Sequence, residues 1–158
     1  MKMPPSLNAF LKTMLILSIT GGCSGSPARA PEDTPYGIAE CPDRPNCVST
    51  KAADERHKIE PYRLKSDFAA NWRRVEELVA TIPRTVIVLA TDTYLHAECR
   101  SRIFRFVDDL ELSLNLSDGV ISIRSASRTG YSDLGVNRRR VESLRRKLIS
   151  EGIIENHV

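Results

Sequence analysis

The chain has 158 residues, of which 41% are hydrophobic and 27% are charged, and its formal net charge is +3. These values suit one globular core once any targeting segment is removed. Lys2 and Lys12 lie in an N-terminal segment without acidic residues, and removal of that segment leaves a charge of only +1. This small charge argues against nucleic-acid binding, and we expect no nucleic-acid partner.

The N-terminal segment has the order of a secretory signal, in which basic residues precede an apolar run and then small residues. The apolar run over residues 13–20 is much shorter than the roughly 20 residues of a membrane-spanning helix. Gly21-Gly22-Cys23 resembles a lipobox, although Thr20 stands where Leu is usual. We predict a signal peptide over residues 1–22 and lipidation of Cys23.

Two other fates of this segment stay open. Signal cleavage after Ala30, though disfavoured by Pro31, would give secretion without lipid, and the segment could also be retained. In the lipoprotein interpretation, residues 23–40 are a flexible tether, because they are rich in Pro, Ser, Ala and Gly. Ser24 then favours the outer membrane, so we expect a lipid-anchored protein of the bacterial cell envelope that faces the periplasm.

The remaining cysteines indicate a disulfide. Cys41 and Cys47 lie six residues apart across a proline-rich turn, in a compartment that permits disulfides. Two free thiols and a metal pair are the alternatives, but no His or third Cys lies at ligand spacing, and we expect no metal and no cofactor. Cys99 falls on the apolar side of a predicted strand and is interpreted as a small buried hydrophobe.

The first predicted helix opens at Ser66 and Asp67, with the Ser66 hydroxyl able to cap it, and ends at Pro83. Its apolar face has helical spacing: Phe68, Trp72, Val75, Val79 and Ile82. Residues 86–89 form a continuous apolar run and are expected to be a buried strand.

The following segments alternate with a period of two. The first strand has an apolar side (Leu95, Ala97, Cys99, Ile103) and a polar side (Tyr94, His96, Glu98, Arg100, Arg102). The second has Leu110, Leu112, Leu114 and Leu116 inside and Asp109 and Glu111 outside. Asp118-Gly119 predicts a two-residue hairpin turn in which Ser117 pairs with Val120, so that Asp109 faces Arg128.

A second helix is expected near Asp133, with a buried stripe (Leu134, Val141, Leu144, Leu148) that Asn137 interrupts. Its basic residues are interpreted as a solvated face, with attraction to anionic lipid as the alternative. The fold prediction is α+β: a two-layer sandwich in which two helices pack on one face of an antiparallel sheet of about four strands. The domain is expected over residues 41–150, followed by a loose tail over 151–158.

Several segments resemble the bacterial family known as domain of unknown function 1499, from about Cys41 to Leu148. They are Pro45-Asn46-Cys47-Val48-Ser49, Tyr94-Leu95-His96-Ala97-Glu98, Arg100-Ser101-Arg102, Phe106-Val107-Asp108-Asp109, Arg124-Ser125-Ala126-Ser127-Arg128 and residues 130–138. Cys99 stands where this family would be expected to have a larger apolar residue. The resemblance implies a domain found in exported or membrane-attached contexts, and it brings no activity, cofactor or catalytic residue.

The polar side of the sheet has three interpretations, and its predicted members are His96, Glu98, Arg100, Arg102, Asp109, Glu111, Arg124 and Arg128. It is a solvated face with ion pairs across strands, or an arginine site for an anionic group, or an acid-base site. The last would use His96 and Glu98. No nucleophile elbow, zinc motif or phosphate loop supports an enzyme, and His57 and His157 fall in predicted loop or tail.

Residues 127–137 also have two interpretations. Asp133 can cap the second helix, while Asn137 and Arg138 can bond back to the loop, which would make the segment a structural clasp. Alternatively, Arg128, Tyr131, Asp133 and Arg138 frame a pocket.

The functional prediction is a non-enzymatic envelope lipoprotein domain. It would bind an envelope protein partner or a small anionic ligand through the arginine-bearing sheet face and the loop over residues 124–138, while its lipid contacts the membrane. The alternative is a hydrolase or isomerase that uses His96 and Glu98.

Overall fold

The structure, a computed structural model, describes residues 37–156. The predicted signal peptide over residues 1–22, Cys23, most of the predicted tether and His157 lie outside the described residues. Within the described range, the elements in chain order are β1 (Cys47–Ser49), β2 (Tyr62–Arg63), α1 (Phe68–Ala80), β3 (Thr85–Ala90), β4 (Tyr94–Arg100), β5 (Val107–Asn115), β6 (Val120–Ser127) and α2 (Val136–Ser150).

The strands form one antiparallel sheet in the order β1-β6-β5-β4-β3, and β2 also pairs with β6. The α+β class and the antiparallel sheet are confirmed, but residues 37–156 contribute six strands rather than about four. The simple two-layer description is therefore inexact, because β1 and β2 with their connections are added along the outer edge of β6. These strands have three and two residues, too few for alternation to reveal them in a sequence.

The apolar core lies between one face of the sheet and both helices. It includes Leu95, Ala97 and Cys99 of β4, Leu110, Leu112 and Leu114 of β5, Ile121 and Ile123 of β6, Trp72, Val75 and Val79 of α1, and Val141, Leu144 and Leu148 of α2. Burial of each large apolar side chain contributes about 1.5–3 kcal/mol. Because side chains alternate along a strand, the polar residues between these core positions all lie on the opposite face.

Helix α1 is capped by Asp67, and the predicted Ser66 cap is wrong. Asp67 occupies the N-cap position, and its Oδ1 accepts a hydrogen bond from the backbone N–H of Ala70 at 3.2 Å. The N-cap is therefore one residue later than expected, and the Asp67 carboxylate lies within reach of an amide of the first turn. The helix ends at Ala80, before Pro83, as the sequence predicts.

The register of the β5–β6 hairpin differs from the prediction by two residues. Asn115 pairs with Val120, and Glu111 faces Arg124, whereas Asp109 faces Ala126. The turn has four residues, and the N–H of Gly119 closes it by donating to the carbonyl oxygen of Asn115 at 2.9 Å. Gly119 has a φ of 67°, but Asp118 does not have the positive φ that a two-residue turn would need. A shift of two residues leaves every side chain on the face predicted for it, so the prediction of the polar face is still correct.

Five residues that were predicted to be buried are exposed instead. The strand over residues 86–89 is the sheet edge, and Val86, Val88 and Leu89 are about half exposed. Val86 and Leu89 pair with Glu98 and His96 on the face opposite the core, and Val88 lies in the register shift between Ile87 and Leu89. Ile103 and Leu116 lie beyond the ends of β4 and β5, in loops where strand alternation no longer applies.

Helix α2 begins at Val136 after a backbone turn at Gly135. Leu134 has a φ of 54° and is exposed, so it does not belong to the buried stripe predicted for it. Val141, Leu144 and Leu148 are buried as expected.

Both ends of the described chain pack against the domain. The predicted loose tail is wrong for residues 151–156, because Ile153 and Ile154 are buried and Ile154 bridges to Leu64. Ile38 is also buried, and the carbonyl of Ala39 accepts a hydrogen bond from Ser49, so the last residues of the predicted tether belong to the folded domain. Neither helix among the described residues is long and apolar enough to cross a membrane.

Candidate functional site

The polar face of the sheet gathers most of the charged residues predicted for it. Strand β4 contributes His96, Glu98 and Arg100, β5 contributes Asp109 and Glu111, and β6 and its end contribute Arg124 and Arg128. Arg102 is the exception, because β4 ends at Arg100 and Arg102 lies in the following loop. These residues meet because strand alternation places them on the face opposite the helices.

Asp109 is the centre of this face, and its side chain is only 2% exposed. Its Oδ1 accepts hydrogen bonds from His96 Nε2 at 2.7 Å and Arg128 Nη2 at 2.7 Å, and its Oδ2 accepts one from Arg128 Nε at 3.0 Å. Burial opposes ionisation of this carboxyl, but the hydrogen bonds from His96 and Arg128 outweigh it and hold the pKa of Asp109 below its usual range. The pKa of Arg128 is raised in turn, chiefly by its hydrogen bond to Asp109.

The other arginines of this face also bond to carboxylates. Arg128 and Arg100 donate to Glu98 at 2.8 and 3.1 Å. Arg124 donates to Glu111 at 2.7 Å. The three guanidinium groups are thus matched by three carboxylates, and an incoming anion must displace an intramolecular partner to reach them.

Tyr94 also belongs to this network, because its hydroxyl donates to Glu111 at 2.9 Å. Burial and the neighbouring Glu111 carboxylate raise the pKa of Tyr94. The phenol therefore stays protonated and serves as a hydrogen-bond donor.

His96 and Glu98, the predicted acid-base pair, have separate partners. His96 bonds to Asp109, while Glu98 bonds to Arg100 and Arg128. The Asp109 bond occupies one ring nitrogen of His96, and the two arginines occupy both carboxylate oxygens of Glu98. Catalysis by this pair stays a prediction.

Residues 127–137, here called the clasp, are held by Asn137, which is completely buried, whereas residues 129–132 and Leu134 are exposed. The Asn137 side chain accepts a hydrogen bond from Ser125 at 2.6 Å and donates to the carbonyl oxygen of Asn46 at 3.0 Å. Asp133 accepts hydrogen bonds from the backbone N–H groups of Gly135 and Asn137 at 2.9 and 2.6 Å. A polar residue on the apolar stripe is thereby satisfied, and it joins α2 to β6 and the segment before β1.

The predicted pocket of Arg128, Tyr131, Asp133 and Arg138 forms only in part. Asp133 and Arg138 line a pocket of about 300 Å³ together with Pro45, Val48 and Arg56. Arg128 lies in the ion network of the sheet face, and Tyr131 is 70% exposed.

A second pocket, here called the arginine groove, lies between α2 and the loops that follow α1 and β4. It has a volume of about 390 Å³, and no acidic residue is among the described residues that line it. Five arginines contribute to its walls: Arg84, Arg100, Arg102, Arg139 and Arg140. Such a concentration of guanidinium groups suits a phosphate or carboxylate, which arginine binds with two parallel hydrogen bonds.

The arginines of the groove differ in their present partners. Arg140 donates to Asp108 at 2.6 Å, and Arg100 donates to Glu98. Arg84 and Arg139 donate to the backbone carbonyl oxygens of Arg100 and Leu134. Over residues 37–156 the structure gives Arg84, Arg102 and Arg139 no carboxylate partner, so these three keep uncompensated charge.

The cysteines are placed as the sequence predicts. Cys41 and Cys47 form a disulfide with a Cα–Cα distance of 5.7 Å, while Cys99 is a buried free thiol. Burial raises the pKa of Cys99, so the thiol is protonated and unreactive although it borders the arginine groove. Over residues 37–156, three or more His, Cys, Asp or Glu side chains do not gather into a metal-binding group.

The sequence did not reveal the groove because its arginines come from three separate parts of the chain. It also missed His57, which is buried and bonds to Asp54 at 2.7 Å and to the carbonyl of Arg44 at 2.9 Å. One signal was available for the loop: Phe104 and Phe106 fall on the polar parity of β4, which indicates that the strand has already ended.

The comparisons agree with the resemblance seen in the segments around β4, β5 and the clasp. A comparison with curated proteins finds no significant match to the chain. The model of the family described as "Protein of unknown function (DUF1499)" matches residues 37–148, which span the strands, α1, the clasp and most of α2. The chain belongs to the DUF1499 family.

Proposed function

We propose that this chain is a non-enzymatic binding domain of a cell-envelope lipoprotein and that it recognises an anionic group in the arginine groove. The proposal rests on the composition of the groove, which is lined by five arginines and by no acidic side chain among the described residues. The positive charge of such a concave site attracts anions and concentrates them.

The groove suits an anion better than the sheet face does. On the sheet face, Arg124 and Arg128 are bonded to nearly buried carboxylates, and an external anion would compete with Glu111 and Asp109. In the groove, Arg102 and Arg139 are exposed, and an anion would add hydrogen bonds without breaking an ion pair of the described residues. We therefore move the predicted site from Arg124 and Arg128 to the groove, where Arg100 and Arg102 remain candidates.

The test is thermal unfolding of the purified protein with inorganic pyrophosphate, a compact polyanion. A ligand at about 100 times its dissociation constant stabilises a protein by about 2.7 kcal/mol, which gives a measurable rise in Tm. We expect this rise in the wild type and its loss in Arg102→Ala/Arg139→Ala. The controls are Arg73→Ala and Arg73→Ala/Lys51→Ala, which remove one and two positive charges from exposed positions outside the groove. An absent rise, or an equal rise in the double variant, would refute the proposal.

Attachment at the envelope is the second part of the proposal and rests on the lipobox at Gly21-Gly22-Cys23. Several acyl chains on Cys23 would hold the domain stably at a membrane, since one chain alone binds only marginally. We expect the protein in bacterial cells to incorporate a palmitate analogue and Cys23→Ser to lose that label. Unlabelled wild-type protein would contradict lipidation and leave the groove proposal intact.

A further inference from the structure

We infer that the anionic group belongs to a membrane of anionic phospholipid, on which the folded domain docks through the arginine groove and the β4–β5 loop. The loop comprises residues 101–106 and continues directly from the wall of the groove, because Ser101 and Arg102 line both. This inference rests on the proposed function, since it identifies the source of the anion.

The β4–β5 loop presents apolar side chains to solvent. Ile103 is 79%, Phe104 73% and Phe106 53% exposed, and the two phenyl rings stack with their centroids 5.5 Å apart. The loop is closed at its base, where the N–H of Ser101 donates to the carbonyl of Phe106 and the N–H of Phe106 donates to the Ser101 hydroxyl, both at 2.9 Å. These hydrogen bonds fix the base of a loop whose exposed apolar group is typical of a docking surface.

A second loop adds apolar side chains at the same end of the sheet. The β6–α2 loop starts beside the first residue of β5, where the N–H of Arg128 donates to the carbonyl of Val107 at 3.1 Å. It exposes Tyr131 by 70% and Leu134 by 84%. The carbonyl of Leu134 accepts a hydrogen bond from Arg139, a wall residue of the groove, so this loop also borders the groove.

Charge and shape together favour a lipid surface over an acidic protein. Residues 99–107 contain three arginines and no acidic residue, and Arg102 and Arg105 flank the apolar side chains of Ile103 and Phe104. Arginine attracts anionic headgroups, while apolar side chains enter the boundary between headgroups and acyl chains. The apolar groups lie on exposed loops, which a fluid lipid layer accepts without a matching cavity.

A tryptophan reporter tests the docking directly. The only natural tryptophan, Trp72, is buried, so Phe104→Trp adds a probe at the loop tip. We expect its emission to shift to the blue with phosphatidylglycerol vesicles and to stay unchanged with phosphatidylcholine vesicles. The matched control is Leu116→Trp, at an exposed turn at the opposite end of the sheet, and its emission should not change with either.

Replacement of groove arginines in the Phe104→Trp background tests the part played by charge. Each of Arg102→Ala and Arg139→Ala should weaken vesicle binding about fivefold, because one arginine near an anionic surface contributes about that factor. Retained affinity in both variants, an equal response to phosphatidylcholine, or an equal shift at position 116 would overturn the inference.

The pyrophosphate experiment separates failure of this inference from failure of the proposed function. If pyrophosphate stabilises the protein through the groove but Phe104→Trp does not respond to vesicles, the lipid inference is wrong and the anion site stands. If neither pyrophosphate nor phosphatidylglycerol vesicles bind, both are wrong.

Discussion

The sheet face and the arginine groove both concentrate arginine, but they use it in opposite ways. On the sheet face, Arg128 makes two ion pairs, with Asp109 at 2.7 Å and Glu98 at 2.8 Å, and its side chain is 18% exposed. In the groove, Arg102 and Arg139 are exposed, and the described residues offer them no carboxylate. The arginine charges of the sheet face are neutralised by carboxylates, whereas those of Arg102 and Arg139 in the groove are available to an external anion.

A cluster of arginines therefore indicates a binding site only where the charge of the arginines is uncompensated. A buried charge whose partner is removed costs several kcal/mol, so arginines of the first kind are required for the fold. An exposed arginine without a partner contributes little to stability and is available to a ligand. Stability and binding measurements should therefore separate the two regions.

The largest expected effect is that of Asp109→Ala on stability. The variant leaves His96 and Arg128 without their shared carboxylate and should lower the free energy of unfolding by about 3–5 kcal/mol. Urea unfolding followed by circular dichroism measures this change. Asp92→Ala is the control, because Asp92 lies on the exposed β3–β4 turn and should change stability by less than about 0.5 kcal/mol. A loss below about 1 kcal/mol in Asp109→Ala would break the distinction between the regions.

A fall in pH should remove the stabilisation that the ion pairs of the sheet face contribute before it affects the arginine groove. Because the folded pKa of Asp109 is depressed, its contribution is fully present above about pH 4, the usual pKa of an unfolded aspartate. The contribution is lost as the pH falls through the lower folded pKa. Urea unfolding as a function of pH should show this loss in the wild type and a flatter acid limb in Asp109→Asn. Identical acid limbs would show that Asp109 is not the relevant group.

Asp133→Ala should have an intermediate effect on stability and none on the groove. Removal of the carboxylate that accepts from the N–H groups of Gly135 and Asn137 should cost about 1 kcal/mol, as for other helix caps. Thermal unfolding measures this loss, and pyrophosphate should still raise Tm. Lost pyrophosphate binding with unchanged stability would instead favour the pocket interpretation of this loop.

Arg102→Ala should have the smallest effect on stability, below about 0.5 kcal/mol, as expected for an exposed side chain. The same variant should reduce pyrophosphate affinity, measured by isothermal titration calorimetry. Arg73→Ala serves again as the control and should leave both quantities unchanged. A variant that loses stability but keeps affinity would place Arg102 with the arginines of the sheet face.

Alternation and helical spacing in the sequence predict the main elements and their faces. Leu95, Ala97, Leu110 and Leu112 lie in the core because local periodicity determines which side of a strand is buried. The hairpin register was wrong because Asp-Gly suggests a two-residue turn, whereas the chain makes a four-residue turn closed from Gly119 to Asn115. The error preserved the faces, since a shift of two residues does not change parity.

The candidate site was less predictable than the fold. The sequence identifies His96, Asp109, Glu111 and Arg124 as neighbours on one face, but it does not show that their charges compensate one another. The groove needs Arg84, Arg102 and Arg139, which are far apart in the chain and meet only after α2 packs beside the end of the sheet. Tertiary contacts of this kind leave no periodic signal in a single sequence.

The most direct test of the account is an NMR titration of the arginine Nε–Hε resonances of the wild-type protein with pyrophosphate. Progressive shifts are expected for Arg84, Arg102 and Arg139, whose charge is uncompensated, and unchanged resonances for Arg124 and Arg128, which are bonded to carboxylates. Shifts at Arg124 and Arg128 with none in the groove would contradict the account and return the binding site to the sheet face.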